Sequence, residues 1–210
     1  MNILNDLPKP DDLNTKAKAL AILDAIYCQE WDMRYFSHNA GWAENQQMSS
    51  MRNGEGDDYF LIHAPYGCAI KGCFSESRIA AGGAFFKSVA QQIPARFAEF
   101  MAEPAFSMDQ ASFVLWFDED RQVWRAAAND APGDADDGGQ AALLKWLCKG
   151  PEFYRSWAEE YYGVDVDLAL VNRAFNNQPL SIAYIESLNI PIDRATLGAD
   201  FEEIGFPFTA

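Results

Sequence analysis

Positive charge is scarce in this chain. Its 210 residues hold 16 Lys and Arg against 31 Asp and Glu, a formal net charge of -15. A phosphate backbone is gripped by a basic face, so the balance argues against nucleic acid as a partner. It argues equally against an anionic membrane surface. Histidine is scarcer still: His38 and His63 are the two present. Hydrolytic zinc sites ordinarily combine several histidines with a carboxylate, and the His-Glu-x-x-His spacing is missing, so no metal and no cofactor are expected. The four cysteines, Cys28, Cys68, Cys73 and Cys148, contain no Cys-x-x-Cys pair. That removes the zinc-ribbon and thioredoxin readings. Also missing are a Gly-x-Ser-x-Gly nucleophile motif, a repeat of fixed period, and an apolar run near the ~20 residues of a spanning helix. Residues 1–12 lack the basic-then-apolar order of a signal peptide. The expectation is a cytoplasmic protein with reduced thiols and no membrane partner.

What is present is apolar and aromatic. Hydrophobic residues make up 49% and aromatic residues 14% of the chain, enough to build a packed core at this length. Asp12 or Asn14 is placed to cap a helix running to about residue 30, with Leu20, Leu23 and Tyr27 at helical spacing. Residues 31–39 read as extended, with Tyr35-Phe36-Ser37 the best strand candidate. Residues 46–52 and 59–63 read as strands around Asn53-Gly54, a hairpin signal that Gly56 lengthens to a loop or bulge as an equal alternative. Pro65-Tyr66-Gly67 turns the chain into a further strand over residues 68–74. Residues 78–88, with Gly82-Gly83, are ambiguous. Pro94 opens a helix over residues 95–102.

Residues 112–117 and 122–127 form a second hairpin. Residues 129–139 hold three glycines and four aspartates without a base, which marks a solvated loop and an internal boundary. Helices follow over 140–149 and 151–163, then after caps at Asp165 or Asp167, at Ser181, and at about Asp193. The class is α+β: a central antiparallel sheet, made of a meander plus a second hairpin, with a helical C-terminal half packed on it. One domain spans 1–210, with a subdivision at 129–139 into a sheet-rich part (1–128) and a helical part (140–210).

The polar residues of the first sheet invite a functional reading. Glu55, Asp57 and Asp58 crowd one turn, where carboxylates can hold Mg²⁺ or Ca²⁺; a soluble hairpin tip accounts for them more simply. Cys68 or Cys73 beside His63 offers a thiol and a base, yet a cysteine in an apolar strand is more often packing. Arg52, Asp57, Lys71 and Glu76 are placed to meet on one sheet edge, as a ligand site or as an ion-pair network. Trp42, between a glycine and polar residues, is the tryptophan expected near the surface, where an aromatic anchors a partner.

Met51-Arg52-Asn53-Gly54-Glu55-Gly56-Asp57 and Lys71-Gly72-Cys73-Phe74-Ser75-Glu76-Ser77 resemble a pattern in a group of uncharacterised bacterial proteins. In that group the second block usually reads Lys-Gly-Phe-x-His-Glu-Ser. This chain has Cys73 for the aromatic residue and Ser75 for the histidine, which weakens an enzymatic inference. Tyr154-x-x-Trp157-Ala158-Glu159-x-Tyr161-Tyr162 is similar too. The resemblance implies a shared fold and a bacterial origin, and carries no activity.

The leading functional expectation is a non-catalytic protein-binding module whose partner is a basic protein, in the manner of an immunity protein facing a basic toxin. The negative charge runs through the C-terminal region as well: residues 151–210 hold ten acidic and three basic side chains. The rivals are an enzyme or small-ligand protein using Arg52, Asp57, Lys71 and Glu76, and a structural subunit of a larger assembly.

Overall fold

The computed structural model describes residues 3–79, 83–128 and 136–209. Helix α1 (Ile3–Asp6) leads into α2 (Pro10–Tyr27), around which the fold is assembled. Every residue of α2 from Ala19 to Ile26 is buried. A helix apolar all round must be surrounded, and α2 is: it packs on the sheet and on later helices. Proline stands at its first position and Asp11 and Asp12 fill its first turn, so it begins earlier than the expected caps at Asp12 or Asn14. It also ends earlier, at Tyr27, and a 3-10 turn (Trp31–Met33) stands where an extended segment was expected.

Strands β1 (Phe36–Ala43), β2 (Gln46–Arg52), β3 (Asp58–Ala64), β4 (Gly67–Cys73), β5 (Phe113–Asp118) and β6 (Val123–Ala126) form one antiparallel sheet in chain order. The second hairpin therefore continues the first meander, through the β4–β5 pairing. Helices α3 (Ala84–Val89) and α4 (Ala98–Ala102), with several 3-10 turns, lie in the connection between β4 and β5. The helix expected from Pro94 is divided into a 3-10 turn (Ala95–Phe97) and α4. After β6 come α5 (Gln140–Cys148), α6 (Pro151–Tyr162), α7 (Leu168–Phe175), β7 (Leu180–Ser181), α8 (Ile182–Ser187), α9 (Arg194–Ile204) and β8 (Phe208–Thr209), with β7 and β8 paired in parallel. Asp167, Ser181 and Asp193 cap α7, α8 and α9, each accepting a backbone N–H two or three positions into the helix.

Strand alternation gives the sheet two covered faces. Phe36, Met51, Tyr59, Leu61, Ile70, Leu115 and Phe117 face α2 and the later helices. Met48, Ile62, Ala69, Val114 and Trp116 face the β4–β5 connection, against Phe85, Phe97, Phe100 and Phe106. The main core takes residues from both sides of the 129–139 stretch, such as Leu20, Phe36, Leu147 and Phe201. Of that stretch, residues 129–135 lie outside the described residues, as do 80–82 of the ambiguous segment. Asp136 accepts from Ser77 Oγ and Arg78 N, and Asp137 from Ala141 N at the start of α5, so these two aspartates are structural acceptors.

Two buried polar groups fix where β1 begins. Asp24 of α2 accepts the backbone N–H groups of Phe36 (2.8 Å) and Tyr35 (3.0 Å) and the Tyr154 hydroxyl (2.8 Å). The Tyr162 hydroxyl sits beside the same carboxylate without hydrogen-bond geometry. Burial raises the Asp24 carboxyl to about 7, against those hydrogen bonds, which lower it. Arg34 makes a bidentate pair with Asp200 of α9 (2.7 and 2.8 Å) and donates to the carbonyls of Cys28 and Gln29. These contacts tie the segment between α2 and β1 down from both sides.

Candidate functional site

The β2–β3 connection is a loop over residues 53–57, the longer of the two alternatives. Asn53 Oδ1 accepts from the N–H groups of Glu55 and Asp57, and Gly54 and Gly56 take φ of 76° and 103°, which glycine adopts without strain. Asp57 is absorbed by this local structure. Its carboxylate accepts from Asn53 Nδ2 (2.8 Å) and from Ser75 N and Oγ (2.7 Å each), linking the loop to the turn after β4. Glu76 is exposed on that turn.

Lys71 faces the opposite way from an open site. It is fully buried, its Nζ donates to Asp58 Oδ1 at 2.7 Å, and it lies 5.5 Å from the Phe60 ring centroid. Asp58, one residue from the candidate Asp57, is the partner because strand alternation puts residues 58, 60 and 71 on one face. Burial pushes the Asp58 carboxyl up while Lys71 pulls it down. Arg52 pairs across the strands with Asp58 and places its guanidinium 4.6 Å from the Trp31 ring centroid. Arg52, Asp58 and Lys71 thus share one side of the sheet, with Asp57 held in the loop and Glu76 on the turn.

His63 and Cys68 stand opposite each other on β3 and β4, and both line a cavity of about 340 Å³ with Asp11, whose Oδ1 lies 3.3 Å from His63 Nε2. Burial pushes the Cys68 thiol far above its ordinary range, which suppresses the thiolate a nucleophile needs. Cys73 is raised by burial too, with Lys71 opposing. His38 is buried with Nδ1 2.7 Å from Ser49 Oγ, and burial lowers it to about 3, so it is held neutral. Among the described residues no group of three or more His, Cys, Asp or Glu is placed to hold a metal ion. No helix there is long and apolar enough to cross a membrane.

Trp42 is half-buried and stacks on Phe106 (centroids 5.9 Å apart, planes 19° apart). Strict alternation from Phe36 would send it to the α2 side. A register shift between Asn39 and Ala43 moves it to the other face, which is what such irregularities do to the side chains they carry.

A different surface carries three of the exposed large hydrophobic residues. Trp31 (50% exposed), Met33 (60%) and Tyr161 (46%) lie at the mouth of α6 and the 3-10 turn before β1. A groove of about 590 Å³ runs between Met33, Tyr161, Tyr27, Gln29 and Pro191. Its floor is rigid: Tyr161 stacks on Trp157 at 5.0 Å and meets Tyr35 edge-on at 5.4 Å. Glu30 and Asp32 flank Trp31, and both are exposed. Burial chiefly raises the hydroxyls of Tyr35 and Tyr161, with Glu55 adding to both, while the Arg52 guanidinium lies against the neighbouring Trp31. These groove residues were not among the sequence candidates. The available signal was Glu30-Trp31-Asp32-Met33, large apolar side chains alternating with acids where no strand forms.

Searches with the chain against protein-family models, curated proteins and solved structures find no match.

Proposed function

We propose that this chain is a non-catalytic protein-binding module, and that its docking face is the groove lined by Met33 and Tyr161 together with the exposed Trp31 beside it. The partner presents a basic segment carrying an apolar anchor. The observation that carries this reading is the coincidence of exposed aromatic surface at Trp31, Met33 and Tyr161 with the exposed acids Glu30 and Asp32. Interface hot spots are aromatic side chains in preformed surroundings, and Trp31 is pre-positioned by the Arg52 guanidinium on its face. Glu30 lines the groove, Asp32 follows Trp31 in the chain, and Glu55 acts on Tyr161, in a chain of net charge -15. Such a field speeds encounter with a basic partner and suppresses acidic ones. An immunity protein facing a basic toxin is one partnership this chemistry suits. Support also comes from Lys71, Asp57 and the buried thiols, which are engaged in packing and hydrogen bonds.

The test is calorimetric titration with a basic peptide of alternating Lys and Leu at physiological salt. The triple variant E30Q/D32N/E55Q should weaken binding at least about tenfold, since three removed charges and their field are worth more than about 1.4 kcal/mol. The control D109N/E119Q/D120N removes three charges elsewhere and should weaken it by less than about threefold. Equal losses from both triples would mean that net charge alone attracts the peptide, and would refute the groove.

A further inference from the structure

A third, smaller cavity lies on the face of the sheet that carries Trp42. It measures about 150 Å³ and is lined by Trp42, Tyr66, Phe100, Phe106, Glu99 and Glu103, among others. That volume is well below the about 300–1,000 Å³ of pockets for drug-sized ligands, so an occupant has few heavy atoms. Its walls are built rather than incidental. Phe106 is fully buried, stacked on both Trp42 and Phe60 (5.9 and 5.0 Å) with Phe100 tilted against it at 5.4 Å, so these rings back the slot and the partly exposed Trp42 and Tyr66 are the aromatic groups a ligand can meet. The Tyr66 hydroxyl donates to Gln46 Oε1 (3.0 Å), and Gln46 Nε2 donates to Glu99 Oε2 (3.1 Å), so a chain of hydrogen bonds holds one carboxylate at the rim. Glu103 is held as well, accepting the Ala105 N–H through its Oε1. Each acid keeps one carboxylate oxygen outside these bonds. Glu99 is close enough to help raise the Tyr66 hydroxyl, after burial. No lysine or arginine lines the slot.

We propose that this slot binds a small methylated ammonium group. Aromatic faces attract a cation through their quadrupoles, and a methylated ammonium keeps more of that attraction on leaving water than a bare ammonium does, because it gives up less hydration. The two glutamates supply the opposite charge at the rim without having to accept a hydrogen bond from the ligand. An anion is repelled by both acids. A bare ammonium would leave hydrogen bonds with water and find few acceptors inside. The group can be carried by a free metabolite or by a methylated lysine of another protein. This site is separate in the sequence from the Trp31 groove and does not depend on it.

The experiment follows the side-chain Nε1–H resonance of Trp42, assigned by loss in Trp42→Phe, in ¹⁵N-labelled full-length protein. Choline should shift it saturably. Its neutral isostere 3,3-dimethylbutan-1-ol should bind at least about tenfold more weakly, the difference being the cation's share. Trp42→Ala should weaken choline binding at least about tenfold, read from the neighbouring backbone amides, whose unchanged dispersion elsewhere reports that the fold is intact. E99Q/E103Q keeps the hydrogen bonds to Gln46 Nε2 and Ala105 N–H and should cost about three- to tenfold. A trimethyllysine tripeptide that binds more tightly than choline assigns the ligand to a modified protein. The reverse order assigns it to a free metabolite, and either order supports the site. Equal binding of choline and the neutral alcohol, or no saturable shift with choline, overturns the proposal.

Discussion

Removing the carboxylate of Asp24 should change how stability depends on pH, because two buried groups in this protein pull in opposite directions. Asp24 is 0% exposed and its carboxyl is raised from 3.8 to about 7. The folded state then holds a proton that the unfolded chain releases, so this stabilisation is complete below about pH 4 and is lost as pH rises through about 7. His38 is 3% exposed and lowered from 6.5 to about 3. Its contribution is complete above about 6.5 and is lost as pH falls toward 3. Between pH 8 and pH 5.5, linkage gives a gain of about 2 kcal/mol from Asp24 and a loss of about 1.4 kcal/mol from His38. The wild-type profile is therefore nearly flat, and only differences between variants expose the two contributions. Urea unfolding at both pH values is the assay, with Asp24→Asn and His38→Gln. The wild type should gain about 2 kcal/mol on Asp24→Asn on going to pH 5.5, and lose about 1.4 kcal/mol relative to His38→Gln. Asparagine still offers an oxygen to the Tyr35 and Phe36 N–H groups, so the variant is expected to fold. Differences that do not change with pH would refute the assignment of Asp24 as a buried, protonatable anchor of β1.

Three further outcomes follow from buried contacts. Lys71→Ala leaves Asp58 without its partner and should cost about 3–5 kcal/mol in urea unfolding, whereas the double variant K71M/D58L should recover most of that loss. Gly72→Ala would set its Cβ 2.1 Å from the Phe113 ring, so it should destabilise by about 1–3 kcal/mol and be partly rescued by Phe113→Leu; an unchanged Tm would contradict the packing. Asp200→Ala strands the buried Arg34 guanidinium and should cost about 3–5 kcal/mol, with hydrogen exchange rising first at the start of β1; a neutral result would mean that Arg34 reaches water.

The strands, the C-terminal helices and most of their caps are legible in the sequence, because alternation in β3 and β5 and Asp or Ser before an apolar run are local signals. The start of β1 was less legible. It is set by Asp24, eleven and twelve residues before the N–H groups it receives, and no local pattern reports such a contact. The pairing of β4 with β5 spans the long connection between them and is equally non-local. Arg52, Asp57, Lys71 and Glu76 attracted notice because charge in a sheet is unusual. Which of them meet is decided by one-residue parity: Asp58 reaches Lys71, and Asp57 turns to Ser75. Trp42 was recognised as an aromatic near the surface, but its face depends on an irregularity in β1 that leaves no mark in the residue pattern. The groove beside Trp31 is not legible because its lining comes from distant segments, residues 27–30 and 33, 161–162 and 191.

The most direct test of the groove places a photo-crosslinking amino acid at Met33 in the living cell, with Tyr184 as an exposed control position elsewhere. The expected result is one discrete adduct from position 33, to a protein of pI above about 9, competed by uncrosslinked wild type and lost in W31A/Y161A. The same pattern of adducts from both positions, or an acidic protein captured at position 33, would contradict a docking face built for a basic partner.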